Sequence, residues 1–192
     1  MSETAETTGS PYAPGELEIV RRFVNTLDLE NLPDELSTPQ RLREWLAERD
    51  LPAPAGLDEG DLQAAIDLRE ALRELLLANN GEPHDPNAVS ALNRAAERAR
   101  LTVQFHDDGK VSRLAPAGGG VEAPLGAILA IVFRSMAEGT WPRLKACRSQ
   151  TCKWAFYDHS KNRSATWCSM KSCGNRAKAR AYRRRHRERA SA

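Results

Sequence analysis

The sequence predicts a mainly helical α+β protein. A helical N-terminal domain with one β-hairpin precedes a small C-terminal unit of treble-clef-like order, which ends in a basic helix. Apolar residues recur at helical spacing in capped segments, one segment near residue 101 alternates instead, and all four cysteines fall in the last fifty residues. At 192 residues the chain can form one ordinary core plus a small satellite unit.

Two helices are predicted within the first fifty residues. Leu17, Val20 and Val24 repeat at helical spacing, which indicates a helix over residues 16–29. Thr38 followed by Pro39 is a helix start, because threonine caps the first turn and proline fits inside it. The apolar face of this second helix consists of Leu42, Trp45 and Leu46.

Two further helices begin at aspartates. Asp58 or Asp61 can cap a helix through about Ala78, and Asn79-Asn80-Gly81 then ends it. Asp85-Pro86 repeats the start signal for a helix through about Arg100. We expect this helix to be buried through Val89, Leu92 and Ala96.

The apolar period then changes from helical to alternating. Leu101, Val103 and Phe105 alternate with polar residues, residues 107–109 supply a tight turn, and a second strand follows through Val111 and Leu114, so a β-hairpin is predicted. A glycine-rich loop leads to a central helix over residues 124–138. Its residues expected to be buried are Leu125, Ile128, Leu129, Val132, Phe133 and Met136.

The charge distribution divides the chain. Residues 143–192 hold 15 lysines and arginines against Asp158 and Glu188, a formal charge of +13, whereas residues 1–142 carry −11. We expect a flexible tail over 1–14, a helical domain over 15–140 and a basic unit over 141–192. Such a concentration of positive charge indicates a polyanionic partner for the C-terminal end.

The four cysteines have the layout of a metal site. Cys147 and Cys152 form one pair and Cys168 and Cys173 another, with four residues inside each pair and fifteen between the pairs. Thiolates converging from two short loops are the ligands that tetrahedral zinc prefers. We predict one zinc ion, structural because four sulfurs leave no position for water. A reactive dithiol pair or four unrelated buried thiols are the alternatives.

Basic residues follow the last cysteine on a segment of good helix formers. Arg176, Arg180 and Arg184 share one face of a helix with Arg183 and Arg187, and like charges at this spacing oppose the helix unless an anion neutralises them. The predicted nucleic-acid contacts are Arg176, Lys178, Arg180, Arg183, Arg184, Arg187, Lys171 and Arg163. We expect further phosphate contacts from Arg143, Lys145, Lys153 and Lys161.

A family resemblance rests on these C-terminal residues. The segments 141–147, 152–158 and 167–170, followed by Cys173-Gly174-Asn175-Arg176, resemble the CGNR zinc finger, which is named for that tetrad. Upstream, residues 23–27 and the Leu42/Trp45/Leu46 helix resemble the ABATE-type domain that accompanies it. The resemblance implies four metal cysteines at Cys147, Cys152, Cys168 and Cys173, and a stress-induced transcription regulator whose finger binds DNA.

Other features of the sequence point to a ligand or exclude classes of function. Asn25, Thr26 and Arg69 are polar positions on core-facing helices, where they could line a small-molecule pocket or serve as caps and solvated positions. Catalytic constellations do not stand out, so we expect no enzyme. The first residues lack a signal peptide pattern and the longest apolar run is too short to cross a bilayer, so we expect a cytoplasmic protein that does not engage membranes.

Together these features predict a regulator that binds duplex DNA through its finger and basic helix, with the N-terminal domain sensing an effector or forming a homodimer. The sequence leaves three alternatives open: an RNA-binding finger in which Trp154, Phe156 and Tyr157 stack on bases, a zinc-thiolate redox sensor, and a protein-interaction module. The target sequence, the effector, the direction of regulation and the oligomeric state are not encoded in any motif.

Overall fold

The computed structural model describes residues 12–31, 33–105, 109 and 112–190, without the side chains of 189 and 190. Its helices are α1 (Leu17–Val24), α2 (Pro39–Ala47), α3 (Glu59–Ala78), α4 (Pro86–Arg98), α5 (Glu122–Ala137) and α6 (Asn175–Ala190). Its strands are β1 (Leu101–Phe105), β2 (Ser112–Pro116), β3 (Leu144–Ala146) and β4 (Ala155–Tyr157). A short 3-10 helix covers Trp141–Arg143, and a π-helix covers Met170–Gly174 immediately before α6.

Helix starts follow the predicted capping residues. The Thr38 hydroxyl accepts from the Arg41 amide at 3.2 Å, and Asp58 forms a reciprocal capping box with Asp61. The Asp85 side chain accepts from the Asn87 amide at 2.8 Å and so caps α4 ahead of Pro86. These side chains satisfy amides that a helix cannot pair internally, so local sequence determines where α2, α3 and α4 begin.

The first helix is shorter than predicted. It ends at Val24 rather than near residue 29, and Leu29 is exposed. Asn25 instead turns inward, where its side chain accepts from the Ala155 amide at 2.7 Å and donates to the Ala155 carbonyl at 2.9 Å. This contact with a strand 130 residues away competes with the next helical turn.

Two predicted helix faces need correction. In α4 the buried residues are Ala88 and Ala95, while Val89 is exposed because the helix packs through its small side chains. In α5 the predicted core residues Leu125, Ile128, Leu129 and Val132 are buried. Phe133 and Met136 are exposed, because the neighbours of α5 cover only part of its circumference near its C-terminal end.

The predicted hairpin is formed by β1 and β2, which pair antiparallel from Leu101–Pro116 to Phe105–Ser112. Its base packs on α5, where a Cβ added to Gly126 would lie 2.7 Å from the Ala99 Cβ. Glycine is therefore required for this close approach. Residues 107, 108 and 111 of the predicted hairpin, and His106, lie outside the described part of the chain.

One hydrophobic core joins the helices to the second hairpin. Helix α5 lies centrally, against α1, α4 and β2. Strands β3 and β4 pair antiparallel from Leu144–Tyr157 to Ala146–Ala155, and these four residues belong to the same buried cluster as Phe23 and Leu72. The core therefore continues across residue 140, where the sequence predicted a domain boundary. Among the described residues, no helix combines the length and apolar character needed to cross a bilayer.

Candidate metal centre and basic helix

The four cysteine sulfurs converge at one point. The Sγ atoms of Cys147, Cys152, Cys168 and Cys173 all lie within 4.8 Å of one another. The distance from Cys168 Sγ is 3.7 Å to Cys152 Sγ and 3.8 Å to Cys173 Sγ. A sulfur tetrahedron around zinc with bonds of ~2.3 Å has edges of about 3.8 Å, so the cluster has the size that one zinc ion requires.

The first pair lies in the loop of the β3–β4 hairpin. Cys147 follows β3 directly and donates its amide to the Trp154 carbonyl at 2.9 Å. The Cys152 and Lys153 amides both bond to the Ser149 carbonyl, and Lys153 adopts a positive φ of 47°. This tight turn points both thiols to the same side.

The second pair is carried by the approach to α6. Cys168 precedes the π-helix, and Cys173 lies inside it, two residues before α6 begins. Phe156 packs against the cysteines, and Trp154 and Trp167 are partly buried beside them. The metal site therefore fixes the first turn of α6 to the β3–β4 hairpin.

The effects of the thiols on one another's pKa values also favour a bound cation. Hydrogen bonds from Cys152 and Cys168 lower the pKa of Cys147 to about 2, whereas the bond to the Cys147 sulfur raises the pKa of Cys152 to about 12. The same sulfur, with Cys152, raises the pKa of Cys168. The Cys147 thiolate thus suppresses ionisation of Cys152 and Cys168, and a bound divalent cation would offset that suppression.

Each residue of the Cys-Gly-Asn-Arg tetrad has a distinct contact. Cys173 supplies a sulfur, and a Cβ on Gly174 would lie 2.7 Å from the Met170 sulfur. The Asn175 side chain donates to the Lys171 carbonyl at 3.2 Å. Arg176 Nη2 donates to Cys173 Sγ at 3.1 Å, so its guanidinium lies directly against a sulfur of the metal site.

The comparisons with known proteins agree with this geometry. The family model described as "Putative stress-induced transcription regulator", ABATE, matches residues 18–139. The chain belongs to the ABATE family. The CGNR zinc finger model matches residues 143–186, which contain all four cysteines. No curated protein matches the chain.

The four cysteines of this CGNR finger are positioned to bind one structural zinc ion. Sulfur would occupy all four coordination positions, so the metal would hold the fold together and would not activate water. The prediction of a zinc cofactor is confirmed at this level.

A buried ion pair orders the loop between the two cysteine pairs. Lys145 Nζ donates to Asp158 Oδ2 at 2.7 Å and to the carbonyls of Arg163 and Ala165. Burial opposes ionisation of Asp158, but hydrogen bonds from Lys145 and Ser160 outweigh it and hold its pKa below the ordinary value. The prediction of Lys145 as a phosphate contact is therefore wrong, because this side chain is buried and paired.

Two other predicted phosphate contacts from the finger also bond to protein. Arg143 donates to the carbonyls of Asp158 and Ser160, and Lys153 pairs with Glu74 at 3.3 Å. In contrast, Lys161, Arg163 and Lys171 are exposed.

Helix α6 carries most of the predicted nucleic-acid contacts. It contains eight lysines and arginines and a single acid, Glu188. Lys178, Arg180, Arg183, Arg184 and Arg187 are all exposed. Arg176 differs, because its guanidinium bonds to Cys173 Sγ and to Glu30 Oε1 at 2.7 Å.

The residues suggested for a ligand pocket lie in the interior. Asn25, Thr26 and Arg69 are at most 6% exposed. Asn25 pairs with Ala155, Thr26 donates to the Phe23 carbonyl, and Arg69 donates to Thr26 and Asp34. These bonds to protein give the three residues a structural role in the interior.

Several residues that bind the finger were missed by sequence reasoning. Arg73, Asn79 and Asn80 of the α3 region and Glu30 of the loop after α1 all bond to the finger. Asn79 and Asn80 were interpreted as a helix stop, and no local signal distinguishes a stop from an asparagine that binds a distant strand.

Proposed function

We propose that this chain is a transcriptional regulator that binds duplex DNA through α6. The observation that carries the proposal is an exposed, sixteen-residue basic helix whose first turn adjoins a metal ligand. Such a helix is about 24 Å long, which suits insertion into a major groove.

The like charges along α6 repel one another, and a bound anion would relieve that repulsion. Arg176, Arg180 and Arg184 are spaced at i, i+4 and i+8, and each like-charged pair costs the helix ~0.2–0.5 kcal/mol. Within α6, the Arg184–Glu188 ion pair at 3.8 Å offsets part of this repulsion. Phosphates along a duplex would neutralise the remaining charges.

Contacts with the finger and with the N-terminal helical domain hold the first turn of α6 in place. We call the helical domain over residues 15–140 the helical body. The Arg176 guanidinium joins Cys173 of the finger to Glu30 of the helical body, so contacts with both parts hold the direction in which α6 leaves the protein. Rigid presentation favours reading a groove over coating a polyanion nonspecifically. In this proposal the helical body senses an effector or brings two copies together.

Duplex DNA is favoured over single-stranded RNA by the burial of two aromatic residues. Phe156 is 4% exposed and packs on the cysteines, and Tyr157 is 9% exposed within the main core. Neither ring is available to stack on an unpaired base, which is how most sequence-specific RNA modules bind.

The test compares a random-sequence 30-base-pair DNA duplex, a single-stranded DNA and an RNA of equal length, each with the zinc-loaded full chain. We expect the duplex to bind most tightly, and Arg180→Ala/Arg184→Ala to weaken that binding with zinc content unchanged. Tighter binding to RNA would favour the RNA-binding alternative. No binding to any of the three would reject nucleic acid as the partner and favour a protein-interaction or redox role for the finger.

A further inference from the structure

Side chains of the helical body bond to residues that adjoin or contact the metal cysteines. We call three of them, Asn80, Arg73 and Glu30, the body clamp. Asn80 and Arg73 bond to backbone carbonyls, and Glu30 bonds to the side chains of Arg176 and Thr151. All three lie before residue 140, within the span that matches the ABATE model. The zinc site therefore has supporting contacts that the finger does not supply itself.

Asn80 joins the two halves of the site. Its side-chain nitrogen donates to the Ala146 carbonyl and to the Thr166 carbonyl, both at 2.8 Å. Ala146 directly precedes Cys147, and Thr166 lies two residues before Cys168. Asn80 is 8% exposed and directly follows the end of the twenty-residue helix α3, which holds it in place. Its side-chain amide therefore sets the distance between the segments that carry Cys147 and Cys168.

Arg73 supports Cys152. Its Nη1 donates to the carbonyl of Lys153, the residue after Cys152, at 3.1 Å. Its Nη2 donates to the Val24 carbonyl at 2.7 Å, and its Nε donates to Glu70 at 2.9 Å. Arg73 is 1% exposed and bonds both to the finger and to the helical body, so it has little freedom to move away from the turn that carries Cys152.

Glu30 supports the fourth cysteine through Arg176. Its carboxylate accepts from Arg176 Nη2 at 2.7 Å and from the Thr151 hydroxyl at 3.2 Å. Arg176 in turn donates to Cys173 Sγ, and Thr151 directly precedes Cys152. The carboxylate thereby holds both cysteine pairs against the loop that follows α1.

We propose that the helical body preorganises the zinc site, with Asn80 as its main positioning residue. Contacts behind the ligands lower the entropy lost when a metal gathers them, and their removal typically weakens binding ~10–100-fold. The coupling is reciprocal: zinc stabilises the helical body as much as the body stabilises bound zinc. An effector that displaces the end of α3 would accordingly loosen the metal and the base of α6.

The test measures zinc affinity of the full chain by competition with a chromophoric chelator. Asn80→Ala is compared with Asn79→Ala, a matched control of the same residue type at the same helix end. Asn79 also donates to two finger-side carbonyls, those of Trp141 and Leu144, but neither residue adjoins a cysteine. We expect Asn80→Ala to weaken zinc binding ~10–100-fold and Asn79→Ala to change it less than threefold.

Cobalt(II) substitution supplies a readout that overall stability does not move. In Asn80→Ala the thiolate-to-cobalt absorption bands should broaden or shift, while in Asn79→Ala they should match the wild type. Equal zinc affinity and equal cobalt spectra in the two variants would overturn the proposal. Should Asn80→Ala fail to fold, Glu30→Gln at the partly exposed end of the clamp gives the same comparison, and an affinity within twofold of wild type there would also overturn it.

Discussion

The Lys145–Asp158 pair allows a sharp prediction about stability. Asp158 is fully buried at its side chain, and Lys145 is 6% exposed. Replacing Asp158 with asparagine keeps the shape but leaves the Lys145 ammonium without a counter-charge. Loss of one partner from a buried pair costs ~3–5 kcal/mol. The ammonium retains the carbonyls of Arg163 and Ala165, which places the expected cost near the lower end of that range.

Urea unfolding of the zinc-loaded protein measures this cost. With a slope of ~2 kcal/mol per molar urea, a loss of ~3 kcal/mol lowers the midpoint by about 1.5 M. Lys145→Met/Asp158→Asn should recover part of the loss, because both charges are then absent. The exposed Arg41–Glu44 pair is the control, and Glu44→Gln should leave the midpoint unchanged. An Asp158→Asn midpoint equal to wild type, or a double variant no better than the single, would refute the reasoning.

Two further predictions concern the pKa of Glu70 and the metal content. Burial opposes ionisation of Glu70, but Arg73 and Arg69 outweigh it and lower its pKa from 4.5. Its stabilisation is therefore complete above pH 4.5 and is lost as the pH falls through the folded-state value, so the stability difference between wild type and Glu70→Gln should shrink on acidification. A difference that grows instead would contradict this sign. Elemental analysis with X-ray absorption should give one zinc per chain with four sulfurs at ~2.3 Å, and a nitrogen or oxygen in the first shell would exclude the four-cysteine site.

Local signals in the sequence were sufficient for much of the fold. Caps at Thr38, Asp58 and Asp85 predicted three helix starts, because the bonds that define a start lie within three residues. The alternation after Leu101 predicted the first hairpin. The cysteine set was also evident, because four thiols paired in two short loops match the ligands of a tetrahedral zinc site.

Features that depend on distant partners were not predictable. Periodicity marked Val89 and Phe133 as buried, but burial depends on which neighbours cover each face of α4 and α5. The positive charge of Lys145 suggested a phosphate contact, and only the fold shows that its ammonium pairs with Asp158. The asparagines at 79 and 80 have a local meaning as a helix end, yet Asn80 bonds to Ala146 and Thr166, which lie 66 and 86 residues away.

The central claim is that α6 binds phosphates of duplex DNA, and a salt series tests it most directly. Each phosphate contact contributes about 0.9 to the slope of log affinity against log salt. Removing two contacts with Arg180→Ala/Arg184→Ala should flatten the slope by about 2. Arg43→Ala/Arg94→Ala removes the same net charge from exposed positions on the helical body and should leave the slope unchanged. Equal slopes for both double variants, with zinc retained, would contradict the account.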